Sequence, residues 1–250
     1  MSNRLLYTGN HLFHFTSFES ALKIVVSNSL KFGKFENMND IAEIKKEIYG
    51  MIPEVIIQKQ LRQYHCLSMT LDNASIRGFF IDSLWGHYAQ KGNGVCLVFD
   101  KEIMESRLKK KFGNRVIVKP IVYQQDFTNA LFVGGETKEE AIDYLQNKIE
   151  DIMFTKSLDW KYEKEYRILV KSSKHEVLFH YGKNCLLFAI LCLPKVNDYK
   201  ESIEYKVLKA VLPNMPILRY TTRLGNKELL NEEGEQMCNI IGVDLQLILD

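Results

Sequence analysis

The stretch Lys156-Ser-Leu-Asp-Trp-Lys-Tyr-Glu-Lys-Glu-Tyr-Arg167 joins an amphipathic segment to an apolar run, and its reading decides where strands begin in the second half of the chain. Ahead of it, Thr137 and Glu140 have the spacing of a capping box. Ala141, Leu145, Ile149, Ile152 and Met153 then fall on one stripe, which predicts a helix from about Thr137 to Lys156. Behind it, Tyr166-Arg-Ile-Leu-Val170 predicts a strand. Side chains two apart in a strand share a face, so Glu163 and Glu165 are expected to project together. Adjacent carboxylates need solvent, a cation or a substrate to offset their repulsion, which makes them the first candidates for chemistry. An ordinary alternative stays open: Lys161, Lys164 and Arg167 surround them, as on a solvated face held by weak ion pairs.

Upstream, Leu12 to Phe15 reads as a strand running into a helix, with Thr16-Ser-Phe-Glu19 as its capping box. His14 and Thr16 then lie at a strand-to-helix junction, where free amides often meet a ligand. Lys31 to Glu43 reads as a polar connection, Tyr64 to Thr70 as a strand, and Ile76 to Gln90 as a helix whose Phe79, Phe80, Leu84, Trp85 and Tyr88 lie largely on one side. Such an aromatic stripe reads first as core. Gly94 to Asp100 is a continuous apolar run, expected to be a central strand covered on both faces. A strand from Val116 to Tyr123 is interrupted at Pro120.

Downstream, strands are expected at Glu165 to Lys171, Val177 to Tyr181 and Leu186 to Leu193. A helix capped by Asp198 and Glu201 follows to about Leu212, then a strand at Ile217 to Thr221, and a final helix and strand across Glu228 to Leu249. No repeat or Pro/Gly linker divides the chain, so one domain over 1–250 is expected, with a core at about 12–193 and a C-terminal extension at about 198–250. Helices and strands alternate without a βαβ rhythm, and neither a G-x-G-x-x-G nor a P-loop occurs, which disfavours doubly wound nucleotide folds. The fold class is α+β.

The 33 basic and 31 acidic residues leave a charge of only +2, so any polyanionic partner must be held by a local patch. Arg107-Leu-Lys-Lys-Lys-Phe-Gly-Asn-Arg115 is one, readable as a phosphate contact or as a solvated helix end before a Gly-Asn turn. The five cysteines form no C-x-x-C pair, so neither a disulfide framework nor a zinc knuckle is indicated, and most sit in apolar runs as core. His11 and His14 have no cysteine or H-E-x-x-H partner, and no metal is assigned to them. The longest apolar stretch, Cys185 to Leu193, is too short to span a bilayer as a helix, and the first residues carry no apolar leader, so a cytoplasmic protein is expected.

Four pieces in order resemble a poorly characterised bacterial domain family with the motifs L-Y-H-Y-T-S, F-N-D, C-F-S with M-W-x-H-Y-A and G-V-C-I-x-F-D, and W-x-Y-E-x-E-W-R. They stand here as Leu12-Phe-His-Phe-Thr-Ser17, Met38-Asn-Asp40, Cys66-Leu-Ser68 with Leu84-Trp-Gly-His-Tyr-Ala89 and Gly94-Val-Cys-Leu-Val-Phe-Asp100, and Trp160-Lys-Tyr-Glu-Lys-Glu-Tyr-Arg167. That family is distantly similar to the ADP-ribosyltransferases, DarT-like enzymes above all. The resemblance implies two facing, curved, mainly antiparallel sheets with flanking helices, and NAD as substrate in a cleft between them. It implies a transferase acting on nucleic acid or another macromolecule in bacterial defence or a toxin system, with an antitoxin or defence protein as a conceivable partner. In these terms Glu165 stabilises the oxocarbenium-like ribose and Glu163 orients or deprotonates the acceptor. His14 and Thr16 bind the cofactor, Ser68 binds its ribose or braces Glu165, Trp85, His87 and Tyr88 line or stack on it, and Arg167 steadies Glu165. Phe15 stands where the family has tyrosine, and Asn37-Met-Asn-Asp-Ile-Ala-Glu43 departs from F-N-D-P-F-E. A binding module without chemistry is the alternative, and a nuclease using Asp40, His87 and the glutamates around a divalent ion is the third reading.

Overall fold

The computed structural model describes residues 10–38, 40, 46–72, 77–193, 198–223, 226–234 and 236–239. The expectations at Asn39, at 41–45 and at 240–250 lie outside them. The chain is α+β and divides into two compact units, one of residues 1–30, 69–107 and 180–250, the other of residues 31–68 and 108–179.

In the first unit the Val95–Asp100 strand is the centre. It pairs antiparallel with His11–Thr16 on one side (His14 opposite Leu97) and with Leu186–Cys192 on the other (Ala189 opposite Leu97). Val95 to Phe99 are all fully buried, as a run apolar at every position requires. Leu186–Cys192 pairs parallel with Ile217–Arg223, a crossover supplied by the helix Ile203–Val211. Asn226–Leu230 and Gln236–Asn239 then add antiparallel strands where a helix was expected from Glu228. Aromatic rings fill the core: Phe15 meets Trp85 edge-on at 5.0 Å, and Trp85 lies flat against Tyr220 at 5.2 Å.

Three local expectations in this unit change. Thr16 is still paired in the ladder opposite Val95, so Ser17 caps the helix Phe18–Ser27, accepting from the Ser20 amide at 3.1 Å. The helix expected over 76–90 is a 3₁₀ turn at Gly78–Phe80 and a short helix at Asp82–Tyr88, broken where Ile81 is extended. Asp198 caps only a 3₁₀ turn at Tyr199–Glu201; Ser202 caps the helix that follows.

The second unit is built on the helix Lys138–Met153, whose capping box forms as read: Thr137 Oγ accepts from the Glu140 amide, and the Glu140 carboxylate accepts from the Thr137 amide. Its stripe of Ala141, Leu145, Ile149, Ile152 and Met153 packs with Phe35, Ile57, Leu61, Tyr64, Cys66, Ile121 and Leu169. The strand Glu165–Lys171 pairs antiparallel with Val116–Pro120 and also with Tyr64–Leu71. Pro120 ends its strand, and Val122–Gln124 leaves to pair parallel with Thr155–Ser157. The stretch read as a polar connection opens as the strand Ser29–Lys34, where buried Leu30 and Phe32 alternate with exposed Lys31 and Gly33. Among the described residues no helix is long and apolar enough to cross a membrane.

Candidate functional site

A chain of short-range events brings four ionised side chains together in the second unit. After the helix Lys138–Met153, the strand Thr155–Ser157 places Lys156 opposite Tyr123. Ser157 Oγ then accepts from the Asp159 amide at 3.3 Å and starts a 3₁₀ segment, Leu158–Glu163. Lys164 ends it in the left-handed region (φ 47°, ψ 45°), and the strand begins at Glu165. Glu163 and Glu165 therefore do not share a strand face by alternation, as the spacing suggested. A change of backbone hand turns both carboxylates toward the cation between them.

That cation is Lys156. Its ammonium donates to Glu163 Oε2 and lies equally close, 2.8 Å, to Glu165 Oε2. Arg167 grips Glu165 as a fork, Nε to Oε1 at 2.7 Å and Nη2 to Oε2 at 3.0 Å, and spends Nη1 on the Met153 carbonyl at 2.5 Å. Ser68 donates its hydroxyl to Glu165 Oε1 at 2.6 Å, a contact between residues 97 apart in sequence. The Glu165 amide donates to the Tyr123 hydroxyl oxygen at 2.9 Å. Aromatic rings cover the cations: Lys156 Nζ lies 5.1 Å from the Trp160 centroid and Arg167 Cζ 5.6 Å from that of Phe35.

All four charged side chains are buried, and their charges sum to zero. Burial alone would push the Glu165 carboxyl up; Arg167 and then Lys156 outweigh it and bring the pKa down to about 2. Burial pushes the Tyr123 phenol far above its ordinary value, with the two glutamates adding to the effect, so it stays neutral. A carboxylate offers about four acceptor positions. Those of Glu165 are taken by Ser68, two Arg167 nitrogens and Lys156.

The sequence-derived site residues divide between the units. Ser68, Glu163, Glu165 and Arg167 belong to the second and meet there; His14, Thr16, Trp85, His87 and Tyr88 belong to the first. Trp85 is a core residue, stacked on Tyr220 and donating Nε1–H to the Phe79 carbonyl at 2.7 Å. His87 is exposed, its ring 6.3 Å from that of half-buried Tyr88. His14 is half-buried on its strand, and Thr16 closes that strand.

Sequence reasoning missed Lys156 and Tyr123, although Lys156 opens the stretch that carries the glutamates. It also missed a buried group in the first unit: Arg77 Nε lies 3.1 Å from Asp72 Oδ2, Arg77 Nη2 lies 3.2 Å from His11 Nδ1, and Asp72 Oδ1 accepts from the Gly78 amide at 2.7 Å. The period-2 face of His11 was the available signal. Among the described residues no group of three or more His, Cys, Asp and Glu side chains is placed to hold a metal ion. Cys66, Cys96, Cys185 and Cys192 are free and buried, and burial pushes the thiols of Cys192 and Cys185 up to about 11 and about 12, so neither supplies a thiolate nucleophile near neutral pH.

Residues 84–168 match the model of a protein family of unknown function, DUF2971. The match takes in 85 of the chain's 250 residues. The DUF2971 segment takes in Trp85, His87 and Tyr88, the helix Lys138–Met153, and all of Lys156, Glu163, Glu165 and Arg167, while His14, Thr16 and Ser68 precede it. No curated protein and no solved structure matches the chain.

Proposed function

We propose that this protein is an NAD-consuming, ADP-ribosyltransferase-like enzyme acting on nucleic acid or another macromolecule in bacterial defence or a toxin system. The finer fold reading, two facing curved sheets of the ADP-ribosyltransferase kind, belongs to the same proposal. One observation carries it: a serine from a middle strand donates to a glutamate from a later strand, one of the two roles that the resemblance implies for Ser68. An ionised, rigidly held carboxylate suits an oxocarbenium-like transition state. The bond broken is the one between ribose C1′ and nicotinamide, which leaves with the electron pair. An acceptor oxygen or nitrogen bonds to C1′, and its proton passes to Glu163.

With Glu165 fully engaged, a ribose hydroxyl has one economical way in. It replaces the Ser68 hydroxyl on Oε1, like for like, while the Arg167 fork and Lys156 stay in place. Ser68 is half-buried, whereas the four charged groups are buried, so exchange is easiest on the serine side.

A specific observation favours a second reading. The saturation of Glu165 by protein donors is also what a purely structural carboxylate would show, and it supports a binding module that recognises a nucleotide or phage component without chemistry. One experiment separates the two. Purified protein is incubated with NAD, with and without DNA, RNA and cell lysate, and nicotinamide release is followed for the parent, Glu165→Gln and Ser68→Ala. The enzyme reading expects release that Glu165→Gln abolishes and Ser68→Ala retains. No release under any condition, with NAD leaving the melting temperature unchanged, gives the binding module.

A further inference from the structure

Residues 106–125 contain six cations, Arg107, Lys109, Lys110, Lys111, Arg115 and Lys119, and no carboxylate, in a chain whose overall charge is only +2. Three of the six have evident structural duties. Arg107 donates to the Tyr181 carbonyl, Lys111 Nζ donates to the Leu178 carbonyl at 2.7 Å, and Lys119 pairs with Glu150. Lys109, Lys110 and Arg115 differ. They are exposed, the first two in the last turn of the helix Lys101–Phe112 and the third in the turn that follows, and no described carboxylate forms an ion pair with any of them.

Helix chemistry explains only part of this. Cations in a last turn are stabilised by the helix dipole, an effect that fades beyond that turn, where Arg115 lies. Against it, like charges gathered in a few successive residues repel one another. The cluster has no apolar anchor of its own, since Leu108 and Phe112 on the same helix are buried. It therefore lacks the apolar face that an interfacial membrane helix needs, while a row of phosphates requires only unpaired, exposed cations.

We propose that Lys109, Lys110 and Arg115, with Lys111 beside them, form a docking surface for the phosphodiester backbone of nucleic acid. Recognition is of phosphates rather than base edges, so affinity is salt-dependent and tolerant of sequence. The surface rests on charge and exposure alone and does not depend on the NAD reading. It names nucleic acid as the macromolecule that the protein meets.

The test is fluorescence anisotropy with labelled duplex DNA, single-stranded DNA and single-stranded RNA over a series of salt concentrations. The parent chain is compared with the triple variant Lys109→Gln/Lys110→Gln/Arg115→Gln and with a control, Lys23→Gln/Lys148→Gln, which removes two exposed lysines already paired with Glu19 and Asp151. Log affinity of the parent should fall linearly with log salt. The triple variant should bind at least about tenfold more weakly at low salt and flatten the duplex slope by about 2.7, which is about 0.9 for each of the three phosphates that it no longer neutralises. The control should leave that slope unchanged. An unchanged melting temperature in the triple variant shows that the fold is intact. Absence of parent binding to all three nucleic acids, or an unaltered slope in the triple variant, overturns the proposal. Binding to anionic vesicles without binding to nucleic acid also overturns it, in favour of a membrane surface. Anisotropy is read on the parent chain without NAD, so failure of docking and failure of NAD turnover are read independently.

Discussion

Replacing Arg167 with methionine removes both arms of the fork on Glu165 and the bond to the Met153 carbonyl, and leaves a buried cluster with a net charge of −1. Breaking a buried ion pair from one side costs about 3–5 kcal/mol, because the surviving charge is left uncompensated. In a chain of this length that lowers the melting temperature by roughly 6–20 °C, at 2–4 °C per kcal/mol. The sharper test is the double variant Arg167→Met/Glu165→Gln. It pairs Lys156 with Glu163 alone and restores neutrality, so it should recover about 2 kcal/mol of the loss despite carrying one more substitution. The assay is equilibrium urea unfolding in a Trp85→Phe background, in which the remaining tryptophan, Trp160, lies 5.1 Å from Lys156 Nζ and reports on the cluster. The reasoning is refuted if Arg167→Met stays within about 1 kcal/mol of its parent, or if the double variant is less stable than the single.

Other outcomes follow from the same geometry. Because the folded Glu165 carboxyl titrates near 2 instead of its ordinary 4.5, its stabilisation is complete above about pH 4.5 and is lost as pH falls toward 2. It amounts to about 3 kcal/mol, and Glu165→Gln should flatten the urea midpoint across that window. Ser17→Ala should cost about 1 kcal/mol and Thr16→Ala distinctly less, since Ser17 supplies the cap; denaturant midpoints of the two variants decide it. Gly94→Ala should cost about 3 kcal/mol, because a Cβ there would stand 2.5 Å from the Thr16 carbonyl oxygen and 2.8 Å from the Ala89 backbone. Thermal melts showing Gly94→Ala as stable as its parent would contradict that packing.

Elements whose pattern answers one local question were legible in the sequence. The helix Lys138–Met153 has both its cap and its stripe written in consecutive residues, and the Val95–Asp100 strand is apolar at every position up to its closing aspartate. Errors arose where a tertiary demand overrode the pattern. Residues 76–90 carry a helical stripe, yet Gly78 stands against the Phe13 ring, where a Cβ would come within 2.4 Å, and the backbone extends at Ile81. The strand Asn226–Leu230 exists because Ile217–Arg223 offers it a ladder, which no local period announces. At the site, Glu163, Glu165 and Arg167 do meet, though not by the strand alternation that their spacing suggested. Spacing could not show that Lys156, seven residues before Glu163, returns to sit between the two acids, because that return depends on one left-handed residue.

That residue and the cluster around it bear on how the strand finds its partners. Tyr166 to Val170 are buried throughout, so burial alone does little to distinguish the observed alignment with Val116–Pro120 from one shifted by a residue. The ions do distinguish them. A slip would carry Glu165 and Arg167 together to the opposite face, away from Lys156, from the Ser68 hydroxyl and from the Met153 carbonyl. The cluster thus acts as an alignment key for an otherwise uninformative strand, and a chain lacking it would lose uniqueness of pairing as well as stability.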